Sequence, residues 1–197
     1  MAEELETKVE NVEPASQTEN KKEAKGRKPR RENRRPEKVS DGLEKRMVSL
    51  NPISKVTKGG KTLRYDALMV VGDKNGRVGI GLAKALDVTQ AIEKATLVAK
   101  KHMINVCIEG TTIPHDIIGK FGTTKVIMMP SKEGKGIIAG GAVRDVVELA
   151  GIKDITTKLY GSNNPVNCVK ATFEGLKALR TAEQIAALRG KKVEEIR

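Results

Sequence analysis

Lys132, Lys135 and Arg144 stand among Gly134, Gly136, Gly140 and Gly141 in the stretch Pro130–Gly151, PSKEGKGIIAGGAVRDVVELAG. These residue types at this spacing can bind an anion. Glycine takes positive φ and lets a backbone come close to a partner. The first N–H groups of a helix are unpaired and partly positive, so a helix that starts this way attracts negative charge. Two readings fit: a tight turn before a buried helix, or a loop that faces a phosphate. A second candidate is Thr57-Lys58-Gly59-Gly60-Lys61, a mobile basic hairpin tip. A third is the turn Asp73-Lys74-Asn75-Gly76, followed by Arg77, where Asn-Gly favours positive φ.

Other chemistries find no support. Gly79 and Gly81 suggest a nucleotide loop, but Gly81 is followed by Leu82-Ala83-Lys84 and not by the Gly-Lys-Ser/Thr that ends a phosphate-binding P-loop. Small residues there more simply let another backbone approach a strand. The only histidines are His102 and His115, and Cys107 and Cys168 are far apart, so no zinc-ligand spacing exists and two reduced thiols are expected. Asp116 follows His115, but neighbours on a strand point to opposite faces. With no nucleophile–base set, the chain reads as a non-enzyme without cofactor or metal.

The charge balance names the partner class. Lys and Arg number 37 against 25 Asp and Glu, a net charge of +12, which suits nucleic acid or an anionic surface. Aromatic residues make up only 2%, so base stacking cannot dominate and recognition of phosphates and shape is left. No apolar run approaches the ~18 residues of a membrane span. The N-terminus lacks an apolar signal core and is rich in Glu, which points to the cytoplasm. Residues 1–24 hold seven Glu and three Lys, and residues 25–38, KGRKPRRENRRPEK, hold eight basic and two acidic residues. Neither block can bury enough apolar surface to offset chain entropy, so residues 1–42 are expected to be disordered.

The elements that must position these groups begin at Leu43. Met47–Thr57 reads as a strand, with Pro52 marking an edge or bulge. Leu63, Tyr65, Ala67, Met69 and Val71 alternate with Arg64 and Asp66 at the strand period, and Val78, Ile80 and Leu82 continue a third strand. Val88, Ile92, Ala95, Ala99 and Met103 make one apolar face of a helix spanning Val88–Asn105. Strands are expected at Thr111–Gly119 and Lys125–Met129, joined by a basic tip at Lys120-Phe121-Gly122. A helix Gly141–Ala150, a strand Asp154–Tyr160 and a helix Pro165–Leu179 follow, the last capped by Asn164 with Pro165 at its first position. Lys170 and Lys177 lie off its apolar stripe, and 182–189 reads as a short last helix. The fold class is α+β, two small α/β units. The strand–strand–strand–helix order of the first is also that of a double-stranded-RNA-binding domain without its first helix.

Four segments carry a resemblance: VVGDKNGRVGIGLAKA (70–85), GTTIPHDIIGKFG (110–122), EGKGIIAGGAVRDVVELAGIKD (133–154) and GSNNPVNCVKATFEGL (161–176). In order and without large gaps, they resemble the bacterial small-subunit ribosomal protein five family over about Leu43 to Ile196. The resemblance implies a tail at 1–42, a double-stranded-RNA-binding-like domain at 43–106, a C-terminal α/β domain with a left-handed βαβ crossover at 107–181, and a helix and tail at 182–197. It implies binding to small-subunit (16S-type) rRNA where head meets body, contacts with small-subunit proteins four and eight, a position near the path by which mRNA enters, and a part in decoding accuracy. The family's head-facing loop corresponds to Lys55–Lys61, and its accuracy-linked interface with protein four to Gly136 and Arg144. The RNA-facing residues expected are Lys55, Lys58, Gly59, Gly60, Lys61, Arg64, Lys74, Asn75, Gly76, Arg77, Lys84, Lys120, Lys132, Asn163, Asn164 and Lys170. Those expected to face protein four are Gly134, Lys135, Gly136 and Arg144. The chain departs from the family in its long tail, in Pro52 where a basic residue is frequent, and in Lys135 where a small hydroxyl residue is. The competing expectation is a free double-stranded-RNA-binding regulator.

Overall fold

Long alternating segments at the start of the described residues build a sheet, and glycines decide how closely helices lie on it. The computed structural model describes residues 42–195, so the disorder expected for 1–42 falls almost wholly outside the described residues. The elements are β1 (Glu44–Thr57), β2 (Gly60–Gly72), β3 (Arg77–Ala85), α1 (Val88–Lys101), β4 (Met103–Asn105), β5 (Ile117–Phe121), β6 (Thr124–Pro130), β7 (Ile137–Ile138), α2 (Gly141–Ala150), β8 (Ile155–Tyr160), α3 (Pro165–Ala178) and α4 (Ala182–Arg189), ending in a 3₁₀ turn, Val193–Glu195. The fold is α+β, with two four-stranded sheets.

The first sheet has the order β1-β2-β3-β4, every pair antiparallel. Pro52 lies on its edge strand opposite Tyr65, and the register shifts between Met47 and Ser49. On one face, Ala67, Met69 and Ala85 pack with Ala91 and Ala95 of α1. A Cβ at Gly79 or Gly81 would run into the carbonyls of Ala99 and Ala95, so only glycine permits this close helix–strand approach.

The helix expected over Val88–Asn105 stops at Lys101. The His102 N–H donates to the Val98 and Ala99 carbonyls at 3.2 Å and closes the last turn. Met103–Asn105 then pairs with Gly79–Arg77 as β4, giving the first sheet a fourth strand. Met103 stays under Gly79 and so continues the apolar stripe of α1 without being helical.

The second sheet has the order β5-β6-β8-β7, and only β7 and β8 run parallel, joined through α2 as a βαβ unit. The strand expected at Thr111–Gly119 begins only at Ile117. Before it, Glu109 and Thr112 form an isolated bridge, and Pro114 lacks an N–H to pair. The hairpin turn is Gly122-Thr123, so Lys120 and Phe121 are strand residues opposite Lys125 and Thr124, and not tip residues.

One core joins the two sheets. Leu68, Val70 and Val78 of the first sheet cluster with Val143, Val146 and Val147 of α2, with Val126, Met128 and Ile155 of the second sheet, and with Val169 and Leu176 of α3. Burying each such aliphatic side chain contributes about 1.5–3 kcal/mol. The valines of α2 thus serve both of the small α/β units.

Candidate nucleic-acid interface

The first candidate is a ribbon. Past Leu50, β1 and β2 continue together for seven facing pairs, Asn51↔Asp66 to Thr57↔Gly60. That is roughly 23 Å at 3.3 Å per residue. Nearly every residue from Asn51 to Arg64 is exposed, which leaves the ribbon free of the core. No Asp or Glu lies between Lys45 and Tyr65. Lys58 and Gly59 form the tip, with the Thr57 hydroxyl donating to the Gly60 carbonyl at 3.1 Å, and Gly59 and Gly60 face open space. Lys55, Arg64 and Lys84 line one shallow depression of about 110 Å³ with Ile53 and Thr62. Lys61 stands one pair nearer the tip, opposite Val56.

The Asp73–Gly76 turn does other work. The Asp73 carboxylate accepts from the N–H groups of Asn75 at 2.8 Å and Arg77 at 3.0 Å. Lys74 has φ +59°, and its N–H donates to the Leu149 carbonyl at 3.1 Å. The Gly76 N–H donates to the Ala150 carbonyl at 2.9 Å. These bonds satisfy the C-terminal carbonyls of α2, which would otherwise lack partners. Gly76 is buried, and its N–H is spent on α2. Asn75, Arg77 and Lys74 remain exposed, and the Lys74 ammonium pairs with Glu44 at 2.5 Å.

The glycine loop carries an internal anion. Asp154 is buried, and its carboxylate accepts from the Gly136 N–H at 2.7 Å. That bond, the Thr111 side chain and the N–H groups of Gly134 and Lys135 hold the Asp154 carboxyl below its usual value. The Gly136 N–H is therefore already paired within the chain. Gly134 and Gly136, with φ +81° and +79°, shape the turn around Asp154 and not the start of α2, which is capped by Gly140. Lys132 and Lys135 remain exposed on the loop.

Arg144 lies elsewhere on α2, in a wide depression of about 610 Å³ shared with Lys74, Ile137, Glu148, Ile152 and Lys153. This brings Lys74 from the expected RNA set beside Arg144 from the expected protein set. The glycines of the opening stretch do not join them there, apart from Gly151 at its end. Gly151 has φ +96°, and a Cβ on it would strike the Lys74 carbonyl.

The remaining expected residues are dispersed. Lys120 stands on the face of the second sheet away from the helices, in a depression with Lys125 and Tyr160. Asn164 spends its side-chain oxygen on the Val166 N–H at 3.0 Å, capping α3, while Asn163 is exposed. The Lys170 ammonium sits 4.7 Å from the centre of the Phe121 ring, a cation–π contact that holds it to the protein.

Sequence reasoning missed Arg46. Its guanidinium donates to Asp145 at 3.0 Å and to Glu148, bridging β1 and α2. Glu148 and then Asp145 hold Arg46 more firmly protonated, and Arg46 holds the Glu148 carboxyl below its usual range. Asp145 and Glu148, three apart, share one helix face, but nothing local tells which cation meets them. Among the described residues no group of three or more His, Cys, Asp or Glu side chains could hold a metal ion.

Two family models match the chain: Ribosomal protein S5, N-terminal domain, over residues 43–107, and Ribosomal protein S5, C-terminal domain, over residues 119–189. Together they span more than two thirds of the sequence.

Proposed function

The chain belongs to the ribosomal protein S5 family, non-enzymatic structural proteins of the small ribosomal subunit, and we propose that within the subunit it clamps ribosomal RNA with the β1–β2 ribbon. The observation that carries this reading is the ribbon: acid-free from Lys45 to Tyr65, detached from the core, and bearing Lys55, Lys58, Lys61 and Arg64 with Lys84 alongside. A two-stranded ribbon is narrow enough to enter between RNA helices, and each lysine or arginine that meets a phosphate releases counterions. The bare tip at Gly59 and Gly60 lets backbone approach the RNA where a side chain would hold it off.

The rest of the molecule gives that clamp a second anchorage. Arg144, Lys135 and the turn held by Asp154 are offered to small-subunit protein four, and another surface meets protein eight. Because α2 is packed into the core beneath both sheets, a shift at Arg144 moves the base of the ribbon. That coupling is how the protein biases head against body, near the path by which mRNA enters, and so affects decoding accuracy. The working compartment is the cytoplasm.

The test is a salt series with the full chain, small-subunit ribosomal RNA and generic duplex RNA as competitor, with neighbouring subunit proteins added. A preference for ribosomal RNA of at least 100-fold that survives moderate salt supports the clamp. Equal, steeply salt-dependent binding to both RNAs favours a general duplex-binding regulator and overturns it.

A further inference from the structure

Glu44 and Arg46 stand two apart on β1, so their side chains leave the same face of the first sheet. Arg46 holds Asp145 at 3.0 Å and also Glu148, three residues further along α2. Glu44 holds Lys74 at 2.5 Å, in the turn whose N–H groups cap α2. The root of β1 is thus strapped at two points to one helix and its cap. Just beyond the straps the strand bends. Met47 faces Met69 and Ser49 faces Leu68, so Val48 is one residue more than β2 can match. Such a bulge kinks a strand, increases its twist and exchanges the faces of every residue after it. It decides that Ile53 and Lys55 lie on the same side as Arg64 and Lys84. The ribbon begins at Asn51, three residues past Val48, and works as a lever: a turn of about 10° at its root carries a tip roughly 23 Å away by about 4 Å.

We propose that Arg46 is the positioning residue that sets the direction in which the ribbon leaves the body, acting through Asp145 and Glu148 on one side and the Val48 bulge on the other. Three observations favour this over a pair that only stabilises. One guanidinium nitrogen of Arg46 donates to both acids, so the side chain cannot slide along α2 without losing one of them. In the sheet order β1-β2-β3-β4, β1 is paired along one edge by β2, and the ion pairs to α2 and its cap fix it from a second direction. Val48 itself packs against the main core, so the bend is seated on the same body that holds the straps. Glu148 also lines the depression that holds Arg144 and Lys74, which sets the strap beside the surface offered to a partner protein. What the ribbon's direction does for RNA rests on the clamp reading. The direction itself does not.

The test is made on the full chain by NMR in a weakly aligning medium. Residual dipolar couplings of the backbone N–H groups between Asn51 and Arg64 report how firmly the ribbon shares the frame of α3. In the wild type the two are expected to fit one alignment. Arg46→Ala is expected to shrink the ribbon's couplings by at least a third while those of α3 stay unchanged. Arg46→Lys, which keeps a cation for the two acids, is expected to restore at least half of the loss. A pair that merely stabilises lowers the melt and leaves the couplings alone, so unchanged ribbon couplings in Arg46→Ala overturn the proposal. RNA binding then separates the joint from the clamp. Glu148→Gln removes a negative charge, so charge alone predicts tighter binding to small-subunit ribosomal RNA and to generic duplex alike. A misdirected ribbon predicts the opposite sign, binding about three- to fivefold weaker to the ribosomal RNA only, the scale of one exposed ion pair. Shrunken couplings together with that loss support both joint and clamp. Shrunken couplings without it leave Arg46 as the positioning residue and overturn the clamp instead.

Discussion

The Asp154 carboxylate accepts the Gly136 N–H at 2.7 Å. The anion that the glycine loop is shaped to receive therefore comes from the chain itself, at the start of β8. The loop is held as a rigid turn, and Lys132 and Lys135 are presented from it while its Gly136 N–H is already occupied.

Replacing Asp154 with Asn is expected to loosen this turn. The folded carboxyl lies below its ordinary value of 3.8, so its contribution to stability is fully present above that value and is lost as the pH falls through the lower folded one. Asp154→Asn should lower the urea midpoint at neutral pH. The gap between variant and wild type should then close on acidification below about pH 4. Equilibrium unfolding followed by circular dichroism from pH 7 to pH 2 checks both. A gap that stays constant with pH would mean that charge on Asp154 contributes nothing.

How much of this is legible in the sequence can be judged residue by residue. The bounds of α2 follow from Val143, Val146 and Val147 on one helical stripe and Gly151 as a stop. The cap of α3 follows from Asn164-Pro165, whose chemistry is local. The β4 strand is hidden because Met103 falls where the apolar stripe of α1 would continue, and periodicity cannot tell a helix residue from a strand residue that packs in the same place. The two residues of β7 are too few to show any period. Asp154 and Arg46 are hidden for another reason: each acts on a partner distant in the chain, 18 residues away for Gly136 and 99 for Asp145, and pairing at such range leaves no local mark. The basic residues are all visible, but not their sorting into an exposed ribbon, a capping turn at Gly76 and an open sheet face.

Arg46 ties the two halves of the molecule through Asp145 and Glu148, and its side chain is 39% exposed. An exposed pair contributes roughly 0.2–1 kcal/mol, and one guanidinium serving two acids belongs near the top of that range. Arg46→Ala is expected to cost about 1 kcal/mol at low salt, and less at 0.5 M salt, where exposed charges are screened. A double-mutant cycle with Glu148→Gln should return a coupling of about 0.5 kcal/mol. A cost that does not change with salt would place the loss in packing of the Arg46 stem.

Two glycines in the chain should respond oppositely to one methyl group. Gly151 has φ +96° with the Lys74 carbonyl against its Cβ position, whereas Gly59 has nothing within 4 Å. Gly151→Ala combines left-handed strain with a backbone clash and is expected to cost about 2–3 kcal/mol. It also forces apart the turn that caps α2, so amide exchange at Lys74 and Gly76 should quicken. Gly59→Ala should stay within about 0.5 kcal/mol of wild type. Thermal melts of the two variants side by side decide this, and equal losses would contradict the close approach at Gly151.

The ribbon's cations should be separable from the fold and from each other. Lys55, Lys58 and Lys61 are exposed on a part of the sheet that buries nothing, so changing all three to Ala should leave the melting behaviour of the full chain nearly intact, each change costing no more than about 0.5 kcal/mol. Binding to small-subunit ribosomal RNA should behave otherwise. Removing one lysine–phosphate pair reduces the slope of log K against log salt by about 1, so the triple variant should lose a slope of roughly 2–3 and bind weakest, relative to wild type, at low salt. Lys125→Ala with Lys158→Ala, on the open face of the second sheet, supplies the contrast. It removes two lysines of the same chemistry from a surface outside the ribbon, and the RNA salt slope should not move. If both variants lowered the slope equally, net charge alone would govern binding and the ribbon would have no privileged role. If only the ribbon variant does so, the acid-free hairpin is where the chain holds RNA.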